Sequence, residues 1–368
     1  MFYDAASPAA YSSDSLCLPN NGIGGAEATV IRVAEKLAEK HEVIVAQSAR
    51  RNPDSSERSQ IQWISTRDVD SEILRSDVVV VQRRIQHSLT IRMINKHVPL
   101  FIWYHDWYFP ASLENSIARR LMAKMKAETR VTLHYLNRAT AIGVSQSHAQ
   151  NIRAHLDEAV LLSPAASRIR VEHIYNPISD ELNTTNLVYD PTKLIFFSAA
   201  WKGLDLVLKA FNAVRQAMPD MKLYIASPGY SQIEDQMCLL DERSNPDHCH
   251  LDRSIIALGT LSQLDLMRQV ETALCVFYPA DRIPEAFGLV FAESHAVGTP
   301  VLAHPFGAAI ELLLPEELVD SRNSLEVVQR IRSWRNGGRP KVSARKDVRL
   351  SKVGERWEQV LFETDDSP

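Results

Sequence analysis

Two carboxylates eight residues apart, Glu285 and Glu293, lie in the stretch PADRIPEAFGLVFAESHAVGTPVLAHPFGAAIELL, Pro279 to Leu313. A helix over about Ala286 to Ala296, with Glu285 at its entrance, would set the two acids about 12 Å apart along its axis. The first amides of that helix, on Phe287, Gly288 and Leu289, would have no intrahelical acceptor and would form an anion site. An acid, an anion site and a second acid in a row suit a sugar, a diphosphate and a ribose. Glycoside hydrolysis needs its carboxylates about 5 to 5.5 Å apart for retention, or about 6.5 to 9.5 Å for inversion. A spacing near 12 Å fits neither, so the glutamates read better as holding two ends of one ligand. Taken without their neighbours, Glu293 is equally a solvated helix residue and Glu285 a charge that stabilises the helix dipole.

Two other places carry chemistry. Gly22, Gly24 and Gly25 lie in a loop entering a helix, where backbone can approach a phosphate closely; a simple tight turn accounts for them as well. His105 and Asp106 follow the apolar run Pro99 to Tyr104. Ligands of open α/β sheets bind beyond the carboxyl ends of strands, which is where these two residues fall. A lone histidine there is as often structural as functional.

The positioning elements alternate. Short apolar runs at Phe2 to Ala6, Val43 to Gln47, Asp77 to Gln82, Pro99 to Tyr104, Ala139 to Val144 and Val171 to Tyr175 read as strands buried on both faces of a parallel sheet. Helical spacing separates several of them: Val30, Val33, Ala34 and Leu37 recur on one face, and Ser145 opens a helix running to about Leu156. Residues 178–192 lose periodicity and read as a linker. Alternation then resumes with strands at Lys193 to Ala199, Met221 to Ala226, Ile255 to Leu258, Ala273 to Tyr278 and Pro300 to Ala303. Helices are expected over Gly203 to Met218 and from about Ser262. The tail, about Val342 to Thr364, reads as a further helix. The pattern predicts an α/β protein of two Rossmann-like parallel-sheet domains facing a central cleft, over residues 1–177 and 193–349, with a C-terminal helix in 350–368 packing back on the first.

Composition bounds the function. A chain of 368 residues with 45% hydrophobic and 23% charged residues is long enough for two cores. A formal charge of −4 gives no reason to expect nucleic acid. Cys17, Cys238, Cys249 and Cys275 show no CxxC spacing, and His248-Cys249-His250 has no second ligand pair, so neither zinc nor disulfides are expected. No secretory signal is expected before the first helix, although the shortness of the first strand suits a natural start further upstream. Ala111 to Asn137 reads as one helix; its basic stretch, 112–137, carries Arg119, Arg120, Lys124, Lys126 and Arg130 and could lie on an anionic membrane. Because Glu114 and Glu128 interrupt the basic run, a solvated helix face is the favoured reading.

The chain resembles the family-4 retaining glycosyltransferases of GT-B fold over nearly its whole length. The resemblance rests on GGAE at Gly24 to Glu27, His105-Asp106, Val144-Ser145, Asn176, KGLD at Lys202 to Asp205, Leu258-Gly259, and above all EAFGLVFAE with GTPV, Glu285 to Val301. It implies a metal-independent hexosyltransferase that needs no cofactor beyond its substrate, a UDP- or GDP-sugar, and a saccharide or lipid-linked acceptor in cell-envelope polysaccharide or glycoconjugate synthesis. The implied location is the cytoplasm, or the inner face of its membrane. Glu293 would hold the ribose, the amides of Phe287, Gly288 and Leu289 the diphosphate, and Lys202 would neutralise it. Glu285 would contact the sugar, Gly24 and Gly25 would close on the phosphates, and Tyr230, Gly229 and Leu261 would border the base. The Glu285 contact would lie near the reacting carbon, His105 would face the sugar and the acceptor through its backbone as much as its ring, and Asp106 would stand on the acceptor side. The chain departs from the family in reading FFSAAWKG where an arginine commonly precedes the lysine; Arg253, Arg282 and Lys193 are candidate replacements. It also has Asn176-Pro177 where Asn-Gly is common. Two other classes stay open, a sugar-nucleotide epimerase of the same fold and a non-catalytic nucleotide-sugar binding subunit.

Overall fold

The computed structural model describes residues 1–16, 23–52, 60–159, 161–227 and 253–362. Twelve strands among them fall into two sheets, and every pairing is parallel. The chain divides into two compact units, one of Met1–Ser13, Thr29–Pro177 and the segment from Leu350, the other of Asp14–Ala28 and Ile178–Arg349.

In the first unit the strands are β1 (Phe2–Asp4), β2 (Val43–Gln47), β3 (Ile61–Ser65), β4 (Val79–Gln82), β5 (Leu100–Trp103), β6 (Ala139–Gly143) and β7 (Val171–His173). Their order is β3-β2-β1-β4-β5-β6-β7, so winding reverses between β1 and β4. In such sheets the crevice for a ligand opens at the carboxyl ends beside that reversal. β2, β4 and β5 are buried at every position, as expected of strands covered by helices on both faces. β3 lies at the edge and alternates buried and outward residues, a pattern absent from the sequence reading. The helices Asp70–Arg75 and His87–Ile94 were likewise not anticipated. Both are short, which leaves little room for a period to show.

The helix Leu350–Phe362 completes this unit. Trp357 is fully buried, its ring 4.5 Å from that of Trp103 and 6.1 Å from that of Phe2. Lys40 Nζ donates to Glu358 Oε2 at 2.9 Å on the outside of the same contact. Gly354 is needed there, because a Cβ would come within 2.5 Å of Lys36 Cγ.

In the second unit β8 (Asp190–Phe196), β9 (Lys222–Ser227), β10 (Ile255–Thr260), β11 (Ala273–Tyr278) and β12 (Val301–Ala303) take the order β10-β9-β8-β11-β12. Winding reverses between β8 and β11. The stretch from Ile178 is fastened by Arg349, whose guanidinium donates to the carbonyls of Ser179 at 2.9 Å and Leu182 at 2.7 Å and to Asn183 Oδ1 at 2.8 Å. The helices Leu204–Ala217 and Gln263–Glu271 start within a residue of their expected positions. Ser324–Ser333, capped by Asn323, was not expected.

Two expected elements differ. The helix placed at Ala286 begins instead at Leu289, after Gly288 with φ 79°. Glu285 is therefore not at a helix entrance, and the axial spacing of about 12 Å from Glu293 does not apply. Ala111 to Asn137 is not one helix either: a 3-10 turn, Ala111–Leu113, precedes the helix Ile117–Asn137, which is capped by Ser116.

Candidate active site

The reversal between β8 and β11 is where the second unit gathers its charges. β8 leads into the turn Ala200–Lys202, and β11 runs into the loop from Pro279 that carries Glu285. Lys202 Nζ lies 2.7 and 2.8 Å from the two oxygens of Glu285, and the Tyr278 hydroxyl donates to Glu285 Oε1 at 2.7 Å. Glu285 is 9% exposed. Burying a carboxylate is costly unless it is paired and hydrogen-bonded, and here a cation and a phenol supply that compensation. Lys202 keeps more access to solvent and also lies 5.8 Å from the Trp201 ring centre.

Close backbone contacts hold this cluster. Gly203, with φ 126°, packs so near the other loop that a Cβ would sit 2.9 Å from Ala280 Cβ. Gly307, with φ 57°, passes the Glu285 backbone so tightly that a Cβ would meet its carbonyl oxygen at 2.7 Å. Ala308 N–H donates to that same carbonyl at 2.9 Å. These are positions where a side chain has neither the space nor the dihedral angle it needs.

The helix Leu289–Ala296 follows at once. Gly288 is its cap, Leu289 its first residue, and Phe291 N–H bonds back to the Gly288 carbonyl at 2.9 Å. Phe287, just before it, is fully buried. Glu293 lies within this helix and is 7% exposed, so it is not the solvated helix residue that composition alone would allow. Its neighbour His295 pairs with Glu317 at 2.8 Å, and Glu317 also accepts from the amides of Val301 at 2.7 Å and Leu314 at 2.7 Å. That fully buried carboxylate ties the helix to β12 and so fixes where the helix points. Gly25, which opens the helix Gly25–Ala38, reaches this region: a Cβ on it would come 3.2 Å from Leu289 Cδ1. At Gly24 the side chain of Glu27 folds over the backbone, 2.1 Å from where a Cβ would stand.

The cations proposed for the missing arginine separate. Lys193 lies in the middle of β8, and its ammonium turns toward the amino end of β11, donating to Gln269 Oε1 at 2.7 Å and Thr272 Oγ1 at 2.8 Å. Arg253 precedes β10 and so stands at its amino end. Arg282 alone of the three leaves the carboxyl end of a strand, and it is paired bidentately with Asp205 at 3.1 and 2.5 Å. Arg322, which sequence reasoning missed, also stands on that side, 2.9 Å from Asp281 and 3.3 Å from His304 Nε2. Tyr278 was missed too, although a tyrosine closing an apolar strand just before the loop that carries Glu285 is the signal it left. Tyr230 and Gly229 lie outside the described residues, as does His248-Cys249-His250; Leu261 is half-buried just after β10. Among the described residues no group of three or more His, Cys, Asp or Glu side chains converges.

In the first unit His105 follows β5, half-buried, with its ring 4.8 Å from that of Trp103. Its Nε2 lies 2.9 Å from Gln82 Oε1, and because an amide oxygen can only accept, Nε2 carries the hydrogen. Burial, helped by the positive charge of Arg83, holds the His105 pKa well below the usual imidazole range, so the ring is neutral at pH 7. Nδ1 then bears a lone pair. Asp106 is exposed, 3.9 Å from Arg83 Nε, and its backbone carbonyl accepts from His148 Nε2 at 2.9 Å.

The model of the family described as glycosyl transferases group 1 matches residues 185–352. Those residues belong to that family, and the cluster described for the second unit lies within them. No curated protein matches the sequence. Among solved structures, HepE from Anabaena in complex with UDP and glucose is 16% identical, with 97% of this chain and 94% of that one covered and a TM-score of 0.64. The α,α-trehalose-phosphate synthase (UDP-forming) of Burkholderia xenovorans is 12% identical over 98% and 99% of the two chains, with a TM-score of 0.66. The pneumococcal O-GlcNAc transferase GtfA, in complex with UDP and GlcNAc, is 13% identical over 81% and 59%, with a TM-score of 0.57. At these identities the likeness is one of fold, and the fold, two Rossmann-like parallel-sheet units, is GT-B.

Proposed function

We propose that the protein is a retaining glycosyltransferase of family 4 that moves a hexose from a UDP- or GDP-sugar to a saccharide or lipid-linked acceptor, as in building cell-envelope polysaccharide. The observation that carries the reading is the pairing of Lys202 with Glu285 beside the start of the Leu289–Ala296 helix, which also bears the buried Glu293. Lys202 gives up its carboxylate for the donor's diphosphate, which gains charge as the sugar leaves; the Gly288 and Leu289 amides share that charge. Glu285, still held by the Tyr278 hydroxyl, turns its other oxygen to the sugar's hydroxyls. Glu293 binds the ribose. The acceptor oxygen attacks the anomeric carbon from the face the diphosphate leaves, and the leaving phosphate oxygen takes the acceptor's proton. One carbon–oxygen bond forms as the other breaks, and no metal is invoked. His105, neutral with its lone pair on Nδ1, accepts a hydrogen bond from the sugar or acceptor, with Asp106 beside it on the acceptor side.

UDP in the HepE and GtfA structures supports a nucleotide-sugar donor. The test is transfer from UDP- and GDP-sugars to an acceptor panel, with the product's anomeric configuration read by NMR. Retained configuration, with Lys202→Ala and Glu293→Ala each losing most of the rate, is expected. An epimer formed from donor alone would instead make the protein an epimerase, and donor binding without turnover would make it a binding subunit.

A further inference from the structure

The helix Ile117–Asn137 of the first unit turns an apolar stripe away from its own core. Ala127, Val131 and His134 are its inner face, each nearly inaccessible. At about 100° per residue, Ile117, Leu121, Met125 and Met122 span an arc of about 140° on the roughly opposite side. They are 85%, 60%, 60% and 54% exposed. Leu113, in the 3-10 turn before the helix, is exposed as well. Met122 and Met125 also wall a cavity of about 370 Å³ with Ile85 and Leu133, so apolar surface extends inward from the stripe.

Charge frames it. Lys124 projects from one flank and Lys126 and Arg119 from the other, all three exposed; Arg120, at the angle of the inner face, donates instead to the Glu114 carbonyl at 2.9 Å. The one acid in the helix, Glu128, is drawn aside to accept from the Leu161 amide at 2.8 Å. Sequence composition favoured a solvated face because acids interrupt the basic run. The structure answers that objection: Glu114 stands before the helix, and Glu128, though at the angle of the stripe between Ile117 and Leu121, is engaged by the Leu161 amide, so the free outward residues there are Ile, Leu and Met.

We propose that this helix lies in the interface of an anionic bilayer, its stripe among the acyl chains and its flanking cations, Lys124, Lys126 and Arg119, among the headgroups. An outward apolar arc between cationic flanks matches the two layers such a surface presents, and a neutral or acidic protein partner would leave either stripe or flanks unmatched. The proposal is independent of the transfer reaction.

Sedimentation of the full chain with phosphatidylcholine vesicles, with and without phosphatidylglycerol, tests it. Binding is expected only with the anionic lipid. Each of Lys124→Ala and Lys126→Ala should weaken it about fivefold. Leu121→Asn with Met125→Asn should weaken it at least about tenfold at unchanged salt. Unchanged melting temperatures check that the variants fold, and Ile117→Asn, at the most exposed position, is the second choice if the pair does not. Failure to sediment with anionic vesicles overturns the proposal, as does wild-type binding by the Asn variants. Self-association of the wild type that those variants abolish would assign the stripe to a second copy and overturn it too.

Discussion

Lowering the pH from 7 to 5 should strip stability from the first unit through three histidines. His134 Nδ1 donates to the Ala139 carbonyl at 2.7 Å, so its Nε2, 2.9 Å from the Tyr104 hydroxyl, is an acceptor. His148 Nε2 donates to the Asp106 carbonyl, and its Nδ1 accepts from the Val144 amide at 3.2 Å. His155 Nε2 accepts from Arg130 at 2.7 Å. In each ring the atom that would take the proton already faces a donor. Burial holds all three near a pKa of about 4, against 6.5 for an ordinary imidazole. Folded values lie below unfolded ones, so the unfolded chain binds more protons between about 4 and 6.5. Stability is therefore full above that window and falls as the pH drops through it. A group shifted from 6.5 to about 4 loses about 2 kcal/mol between pH 7 and 5, so three lose on the order of 5 kcal/mol. That rivals the whole stability of a typical domain, about 5 to 15 kcal/mol. Glu35, raised by burial, acts in the opposite sense and offsets a part. Urea midpoints followed by tryptophan fluorescence should fall steeply from pH 7 to 5. His105, also held low by burial, adds to the fall, and His148→Gln, which can still donate and accept, should remove about a third of the share carried by the three rings above. A midpoint that does not move would refute the tautomer assignments and the argument built on them.

Other outcomes follow from single contacts. Gly307→Ala should lower the transfer rate by pushing the Glu285 backbone, at a cost of about 1 to 3 kcal/mol in stability; a rate equal to wild type would mean the loop yields freely. Lys193 is held by burial at a pKa of about 8 against 10.5, so stability should rise as the pH climbs from about 8 toward 10.5, and Lys193→Met should flatten that rise in urea titrations. Glu317→Gln should destabilise the second unit and weaken donor binding together, since Glu317 fastens both β12 and the helix of Glu293; intact binding in a destabilised variant would separate the two. Gln82→Leu should leave the His105 tautomer free to change, and two exchanging imidazole forms in the ring's nitrogen NMR shifts would report it.

The sheets were legible because fully buried parallel strands appear as short apolar runs, and ten of the twelve were anticipated to within two residues at each end. The exceptions are informative. β3, an edge strand with only alternate positions buried, leaves no such run, and β8 extends further than expected because Asp190 to Thr192 are polar. The start of the helix at Leu289 was missed because Glu285 and Ala286 favour helices, while the positive φ of Gly288 and the packing of Gly307 against Glu285 are tertiary facts. The motif residues Lys202, Glu285 and Glu293 could be named from their neighbours. The contact of Lys202 with Glu285 could not, since 83 residues separate them and only the reversal between β8 and β11 brings them together. Tyr278 meets Glu285 seven residues along the chain through the bend of the loop after β11, and Arg322 reaches Asp281 and His304 across the ends of β11 and β12, so neither place shows in a local pattern.

The central claim is that Lys202 leaves Glu285 to take a nucleoside diphosphate. Calorimetric titration of UDP and GDP, with ADP as control, into wild type, Lys202→Ala and Glu293→Ala tests it most directly. The account predicts that UDP or GDP binds the wild type. At 100 times its dissociation constant the ligand should stabilise the protein by about 2.7 kcal/mol, with most of the affinity lost in both variants. A wild type that binds none of the three, or a Lys202→Ala variant that binds as tightly as wild type, would contradict it.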